Sequence, residues 1–234
     1  MCFAAGQPTN KYPENGLHES YYDNESIKVR AEFKNGKQNG MYKKYYESGQ
    51  VELEASFKDG KLHGIRKRYT PDGTLDFIED KFIDGSLTGV IKYYKNGKLD
   101  KEISYQNDII HGESKEYYEN GDLKAKVTYE NNKQNGVHTE YYRNGNISGE
   151  WMITNGEITG PYKIYFENGN IKSEGHKVDG EQDGIITEYT IDGKIKTQNV
   201  YKNGVFIQNV SGVPELKTFT DVDNMVDKSD AGKQ

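Results

Sequence analysis

A period of 24 residues governs what this chain can become. Turn glycines recur at Gly49, Gly73, Gly97, Gly121, Gly145, Gly169 and Gly193, and Glu25 holds the same phase after Tyr21-Tyr22-Asp23-Asn24. A fixed period of this size marks an array in which each repeat rests mainly on its neighbours. The stretch from Asn107 to Asn132 is one copy, and copies fill most of the sequence.

Within a repeat the side chains alternate. Leu123, Ala125, Val127 and Tyr129 interleave with Lys124, Lys126, Thr128 and Glu130; Val51, Leu53, Ala55 and Phe57, and Ile27, Val29, Ala31 and Phe33, do the same. Period two predicts a strand with one dry and one wet face. A second strand precedes each turn and ends in a tyrosine pair, whose members must point to opposite faces. Asn-Gly at 96–97, 120–121, 144–145 and 168–169 joins the two strands. Both residues tolerate positive φ, and Asn-Gly between alternating runs is the strongest short hairpin signal. A return turn follows at Gly36, Gly60, Gly85, Gly156, Gly180 and Gly204, with Asp108 and Asn132 in the same slot. The expected fold is all-β: an elongated single-layer antiparallel meander of about eight tandem 24-residue β-hairpin repeats. Sixteen strands at about 4.8 Å would extend roughly 75 Å.

The pattern Gly-x4-Tyr-Tyr-x-Asn-Gly-x-(Leu/Ile), with a following (Tyr/Phe)-x-Asn-Gly, resembles the MORN repeat in the bacterial variant of the YwqK-type toxin–antitoxin antitoxins. The resemblance covers roughly residues 16 to 208. It implies scaffolding, membrane association or partner binding, and for the antitoxins the sequestering of a toxin. The third repeat departs from it: Thr70 replaces a tyrosine, and the stretch from Asp76 to Gly89 runs one residue long before Gly97 restores the phase. A bulge is expected there.

Composition agrees with a thin fold. Of 234 residues, 26 are glycine, 19 tyrosine and five proline, and only 33% are hydrophobic. A compact domain carries about 45–50%, whereas a single layer needs less. The tyrosines argue against disorder despite a mean hydropathy of −0.97. Net charge is −6, with Lys and Arg interspersed among acids, so no basic stripe offers itself to nucleic acid. The same balance weakens a purely electrostatic attraction to anionic membranes. No apolar run approaches the roughly 20 residues of a spanning helix.

Outside the array lie an N-terminal extension, residues 1–15, and a flexible acidic C-terminal tail, residues 209–234, with a short helix around 222–226 as the alternative. Met1-Cys2-Phe3-Ala4-Ala5-Gly6-Gln7 reads as the end of a signal peptide or as a lipoprotein start with Cys2 acylated. That makes the cell envelope or secretion the preferred location, with a cytoplasmic start and an incidental Cys2 as the alternative. Val205-Phe206-Ile207 breaks the polar habit of the repeat and is expected to fold back as a cap.

Catalytic signals are absent from the sequence, and the chain reads as a non-enzyme with no cofactor and no metal. His63 and His111 precede the repeat's glycine, where other copies carry Asn39, Thr88, Asn135, Thr159 and Asp183, so a turn role is expected. His18, His138 and His176 share no ligand spacing. The tyrosine pairs make two aromatic columns, about one ring per 10 Å. Either both columns are structural or the outward one is a recognition surface, since tyrosine is enriched at interfaces. The candidate partner-binding residues are Tyr45, Tyr46, Tyr93, Tyr94, Tyr117, Tyr118, Tyr141, Tyr142, Trp151 and Tyr165, with Trp151 and Met152 marking the centre. The leading expectation is a scaffold that holds a protein partner on its sheet face; the alternative is an envelope-associated lipid or glycan binder using the same rings.

Overall fold

The computed structural model describes residues 12–211, which hold 21 β-strands and no helix. Cys2 and most of the acidic tail therefore lie outside the described residues. The chain divides into two compact units, residues 1–109 and 110–234. Each is a single antiparallel layer in which consecutive strands are neighbours. The N-terminal unit contains β1 (Gly16–Tyr21), β2 (Ile27–Lys34), β3 (Lys37–Tyr45), β4 (Val51–Lys58), β5 (Lys61–Tyr69), β6 (Leu75–Ile83), β7 (Ser86–Leu87), β8 (Gly89–Lys95) and β9 (Lys98–Gln106). The short β10 (Ile109–Ile110) falls at the division. The C-terminal unit contains β11 (Gly112–Tyr117), β12 (Leu123–Glu130), β13 (Lys133–Gln134), β14 (Gly136–Tyr141), β15 (Ile147–Thr154), β16 (Glu157–Tyr165), β17 (Ile171–Val178), β18 (Glu181–Gln182), β19 (Gly184–Tyr189), β20 (Ile195–Lys202) and β21 (Val205–Asn209). Short pairs such as β13 and β14 are one repeat strand interrupted at the residue before the repeat's glycine.

That glycine sits at a recurring irregularity. Ala31 faces Tyr42 and Phe33 faces Gln38, so two steps along β2 oppose four along β3; β4 against β5 and β15 against β16 repeat this. Seven of the eight repeat glycines carry φ between +96° and +115°, Gly89 being the exception. The return turns have positive φ at both central residues, from Asn35-Gly36 to Asn203-Gly204, and Asn107-Asp108 and Asn131-Asn132 adopt the same geometry without glycine. These are the type I′ turns whose twist matches a hairpin.

The Asn-Gly turns after the tyrosines differ from expectation. Only Asn96-Gly97 has positive φ at both residues; at 120–121, 144–145 and 168–169 only the glycine does. There the chain makes a wider turn, Gly121 N–H donating to the Tyr118 carbonyl at 2.8 Å and Tyr118 N–H to that of Asp122 at 2.8 Å. Asn120 Oδ1 accepts the Asp122 N–H at 3.1 Å, an asparagine-side-chain turn that does not need the Asn in the left-handed region.

The inserted residue of the third repeat explains Asn96. Between Gly64–Phe82 and Arg66–Glu79, two steps of β5 oppose three of β6, so the expected bulge is present. The extra residue is taken back between Gly89 and Tyr93, which are four residues apart where other repeats have five. Tyr93 and Tyr94 consequently exchange faces, and a two-residue turn suffices to close the hairpin.

Burial is local. Phe82, Leu87 and Ile91 form the buried cluster of the N-terminal unit, with Leu62, Phe77, Tyr93 and Tyr105 against it. In the C-terminal unit Val200, fully buried, meets Val210, Ile185 and Ile207. The expected cap is β21, which continues the meander beside β20 instead of folding back. Ile207 packs inward there, whereas Val205 and Phe206 stay 63% and 52% exposed. At the other end Glu14 and Asn15, placed outside the array by the sequence pattern, already tie to the first return turn. The Glu14 carbonyl accepts Gly36 N–H at 2.7 Å, and Asn15 Oδ1 accepts Asn35 N–H at 3.0 Å.

Two glycine substitutions separate backbone strain from crowding. Gly121 has φ +92° and open space where an added methyl would stand, so Gly121→Ala should cost about 1–2 kcal/mol through φ alone. Gly121→Asn should recover part of that loss. Gly175 has ordinary φ, but a methyl there collides with Ile186 and Tyr162, so Gly175→Ala should cost about 1–3 kcal/mol. Gly175→Asn should be worse still. Urea midpoints at unchanged m-value read both.

Candidate binding faces

Register assigns every side chain to one of two faces. On one, Tyr42, Ala55 and Arg66 align across β3, β4 and β5; on the other, Lys43, Glu54 and Lys67 align. The first carries the alternating apolar stripe, and Ala31 and Ala55 are buried there at 2% and 4% exposure beneath longer neighbours. The second is the lysine face.

The second tyrosine of four of the five pairs is a strut. Tyr22 donates its hydroxyl to the Tyr45 carbonyl at 2.7 Å, Tyr46 to that of Tyr69 at 2.8 Å, Tyr118 to that of Tyr141 at 2.7 Å, and Tyr142 to that of Tyr165 at 2.6 Å. Each bond spans 23 residues and joins one repeat to the next. Lys28 lies over the Tyr22 ring and Arg143 over Tyr118, with Lys172 over Phe166 in the equivalent place. Thr70 and Thr190 occupy the slot in two repeats, and each closes on its own turn, donating to the Thr74 and Lys194 carbonyls at 3.0 Å.

The first tyrosine stands on the lysine face. Tyr69 donates to Glu54 at 3.3 Å, Tyr165 to Glu150 at 2.8 Å and Tyr189 to Glu174 at 2.6 Å. Desolvation, then the accepting carboxylate, pushes the Tyr165 and Tyr189 hydroxyls up to about 12. The ten candidate residues thus divide. Tyr45, Tyr94, Tyr117, Tyr141 and Tyr165 share the lysine-face side of their strands, Tyr94 through the exchange in its repeat. Tyr46, Tyr118 and Tyr142 are struts, and Tyr93 packs on Phe77 at 6.3 Å in the buried cluster. Trp151 lies on the apolar-stripe face, edge-on to His138 at 5.5 Å, while Met152 points to the lysine face beside Gly160.

Sequence reasoning passed over a row of residues directly after the repeat glycines. In the N-terminal unit Leu17, Met41 and Ile65 are 53%, 52% and 46% exposed on the lysine face; in the C-terminal unit Val137 is 45% exposed, with Pro161 next along. The repeat carries the signal, an apolar residue following every repeat glycine except Gly112, which Glu113 follows. Between successive members lie shallow depressions of about 200 Å³: one by Leu17, Met41 and Arg30, one by Met41, Ile65 and Lys67, one by Val137, Pro161 and Met152. Each has a paired cation in its wall: Arg30, bound to Glu19 at 2.7 Å, Lys43, bound to Glu54 at 2.6 Å, and Lys163, 3.7 Å from Glu174. Exposed pairs of this kind are worth about 0.2–1 kcal/mol each. The Lys43 ammonium holds the Glu54 carboxyl below its ordinary value.

In several repeats the residue before the repeat glycine serves the next return turn, whereas Asn135 reaches Glu130 instead. Thr88 Oγ1 accepts Asn107 N–H at 3.2 Å, Asp183 accepts Asn203 N–H at 3.2 Å, and Asn39 reaches Asp59 at 3.4 Å. Among the described residues no group of three His, Cys, Asp or Glu side chains is placed to hold a metal ion. No described helix is long and apolar enough to cross a membrane.

A family model described as MORN repeat variant matches residues 14–35, 38–59, 90–107, 110–131, 134–155 and 158–176, more than half of the chain. It passes over residues 60–89, which contain the inserted residue. Among solved structures the chain is similar to one titled "Crystal Structure of TarM", at 16% identity and a TM-score of 0.30. That match covers 41% of this chain and 18% of the TarM chain. No curated protein matches.

Removing one strut should be measurable. Tyr118→Phe keeps the ring and loses only the 2.7 Å bond, a cost of about 1 kcal/mol in the urea midpoint. The lysine-face hydroxyls predict a pH limit. A phenol raised to about 12 when folded, from about 10 when unfolded, contributes stability in full below about pH 10. That contribution is lost as pH rises towards about 12, and Tyr165→Phe should reduce the loss in a pH series of unfolding curves.

Proposed function

The chain belongs to the MORN repeat variant family, and we propose that it is a non-catalytic scaffold whose lysine face holds a protein partner. Arrays of this family are generally non-enzymatic and commonly bind protein or membrane partners. The observation that carries the reading is the repetition, in each unit, of an exposed apolar residue four positions before a tyrosine on the lysine-face side of the same strand: Met41 and Tyr45, Ile65 and Tyr69, Val137 and Tyr141. Tyrosine and methionine are enriched in interfaces, and rings already held at the hydroxyl, as Tyr69 and Tyr165 are, lose little freedom on binding. The opposite column supports this choice of face, because its hydroxyls are committed to the backbone carbonyls that join one repeat to the next. An antitoxin-like role, with a toxin as the sequestered partner, is one form that such binding takes.

A pull-down with the full chain as bait tests the reading. One stoichiometric protein should be recovered, and replacing Tyr45, Tyr117, Tyr141 and Tyr165 by alanine should abolish recovery while the unfolding transition persists. Tyr46→Phe, which touches only a strut, should leave recovery intact. Recovery unaffected by the four substitutions would discard this face. Liposome flotation and a glycan array should both stay silent; a signal lost with the same four substitutions would favour lipid or glycan instead.

A further inference from the structure

We infer that the depression between Met41 and Ile65 receives a carboxylate from an acidic peptide segment of the partner, whose adjoining apolar side chain rests on those two residues. The inference deepens the protein-binding role of the lysine face and rests on it. Two successive repeats of one unit, set side by side, carry it.

In the first, Glu32 reaches over Gly40, where a methyl would collide with its carboxylate, and its Oε2 accepts the Met41 N–H at 2.9 Å. The array therefore already places a carboxylate beside a repeat glycine. Twenty-four residues on, Ser56 stands in place of Glu32, and its Cβ would lie 3.7 Å from a methyl on Gly64. The space is a depression of about 210 Å³ bounded by Met41, Lys43, Glu54, Ser56, Ile65 and Lys67.

Charge points the same way. Lys43 and Glu54 are paired at 2.6 Å, and Tyr69 also donates to Glu54 at 3.3 Å. Lys67 faces Glu54 on one side and Ile78 on the other. Ile78 takes the place that Glu102, Glu150 and Glu174 fill in other repeats. Lys67 is felt electrostatically at Glu54 but makes no ion pair among the described residues. Two ammonium groups and one carboxylate leave the depression with net positive charge. Met41 and Ile65, about half exposed, supply an apolar rim. A carboxylate attached to an apolar group satisfies both features, with the Ser56 hydroxyl as a further donor.

The test is an amide NMR titration of the full chain with N-acetyl-leucine, and with N-acetyl-leucinamide as the uncharged control. The acid should shift the amide signals of Ser56, Ile65 and Lys67 saturably, and the amide should not. Ser56→Glu supplies the carboxylate internally, as Glu32 does next door, and Lys67→Met removes the cation. Each should weaken binding about tenfold, the size expected for one charge-assisted hydrogen bond. Lys67→Met decides the matter should Ser56→Glu fail to fold. Equal shifts from the amide, or affinity unchanged in Lys67→Met, would overturn the inference. Partner capture that survives both variants yet is lost with the four tyrosines would remove this site and leave the face standing.

Discussion

A single layer of strands has no second layer to bury a face against, so the links between one hairpin and the next carry the array. Ladder hydrogen bonds join every pair of strands, but they do not fix how far a hairpin's ends can splay. Two further sets of bonds do, one at each end of the strands. At one end the tyrosine hydroxyls reach the carbonyl 23 residues on. At the other, the second residue of each return turn donates to a carbonyl just after the preceding turn, as Gly60 does to Gln38 and Asn132 to Ile110. Both sets depend on backbone groups held outside ordinary strand geometry, which explains the density of glycine, asparagine and aspartate.

Much of this was legible in the sequence. Alternation and the fixed period gave hairpins, number of repeats and the place of the bulge, because strand side chains obey a strict period of two. The turn after the tyrosines was not legible in detail. Asn120 and Asn96 sit in the same four-residue context, yet one uses its side chain to hold Asp122 and the other enters the left-handed region. The difference comes from a residue lost between Gly89 and Tyr93, far enough away that no local motif records it.

The candidate face was half legible. The alternation of each tyrosine pair required two columns, but only coordinates show which column is tied to the backbone of the next repeat. The apolar row after the glycines was overlooked because single exposed apolar residues are ordinary on any surface. Their significance lies in sharing a face and a spacing with the outward rings, and that becomes visible once Met41 and Ser56, or Val137 and Met152, are seen in register.

The threonines in the strut slot have a consequence for how firmly one hairpin is tied to the next. A tyrosine there is an open valence, a donor satisfied only by a following repeat. Thr190 turns its hydroxyl onto the Lys194 carbonyl of its own turn. Thr70 does the same with more repeats behind it, so the slot sets how tightly neighbours are tied and not how many there are: where threonine replaces the ring, the following hairpin is held by the ladder and the return turn without that hydroxyl.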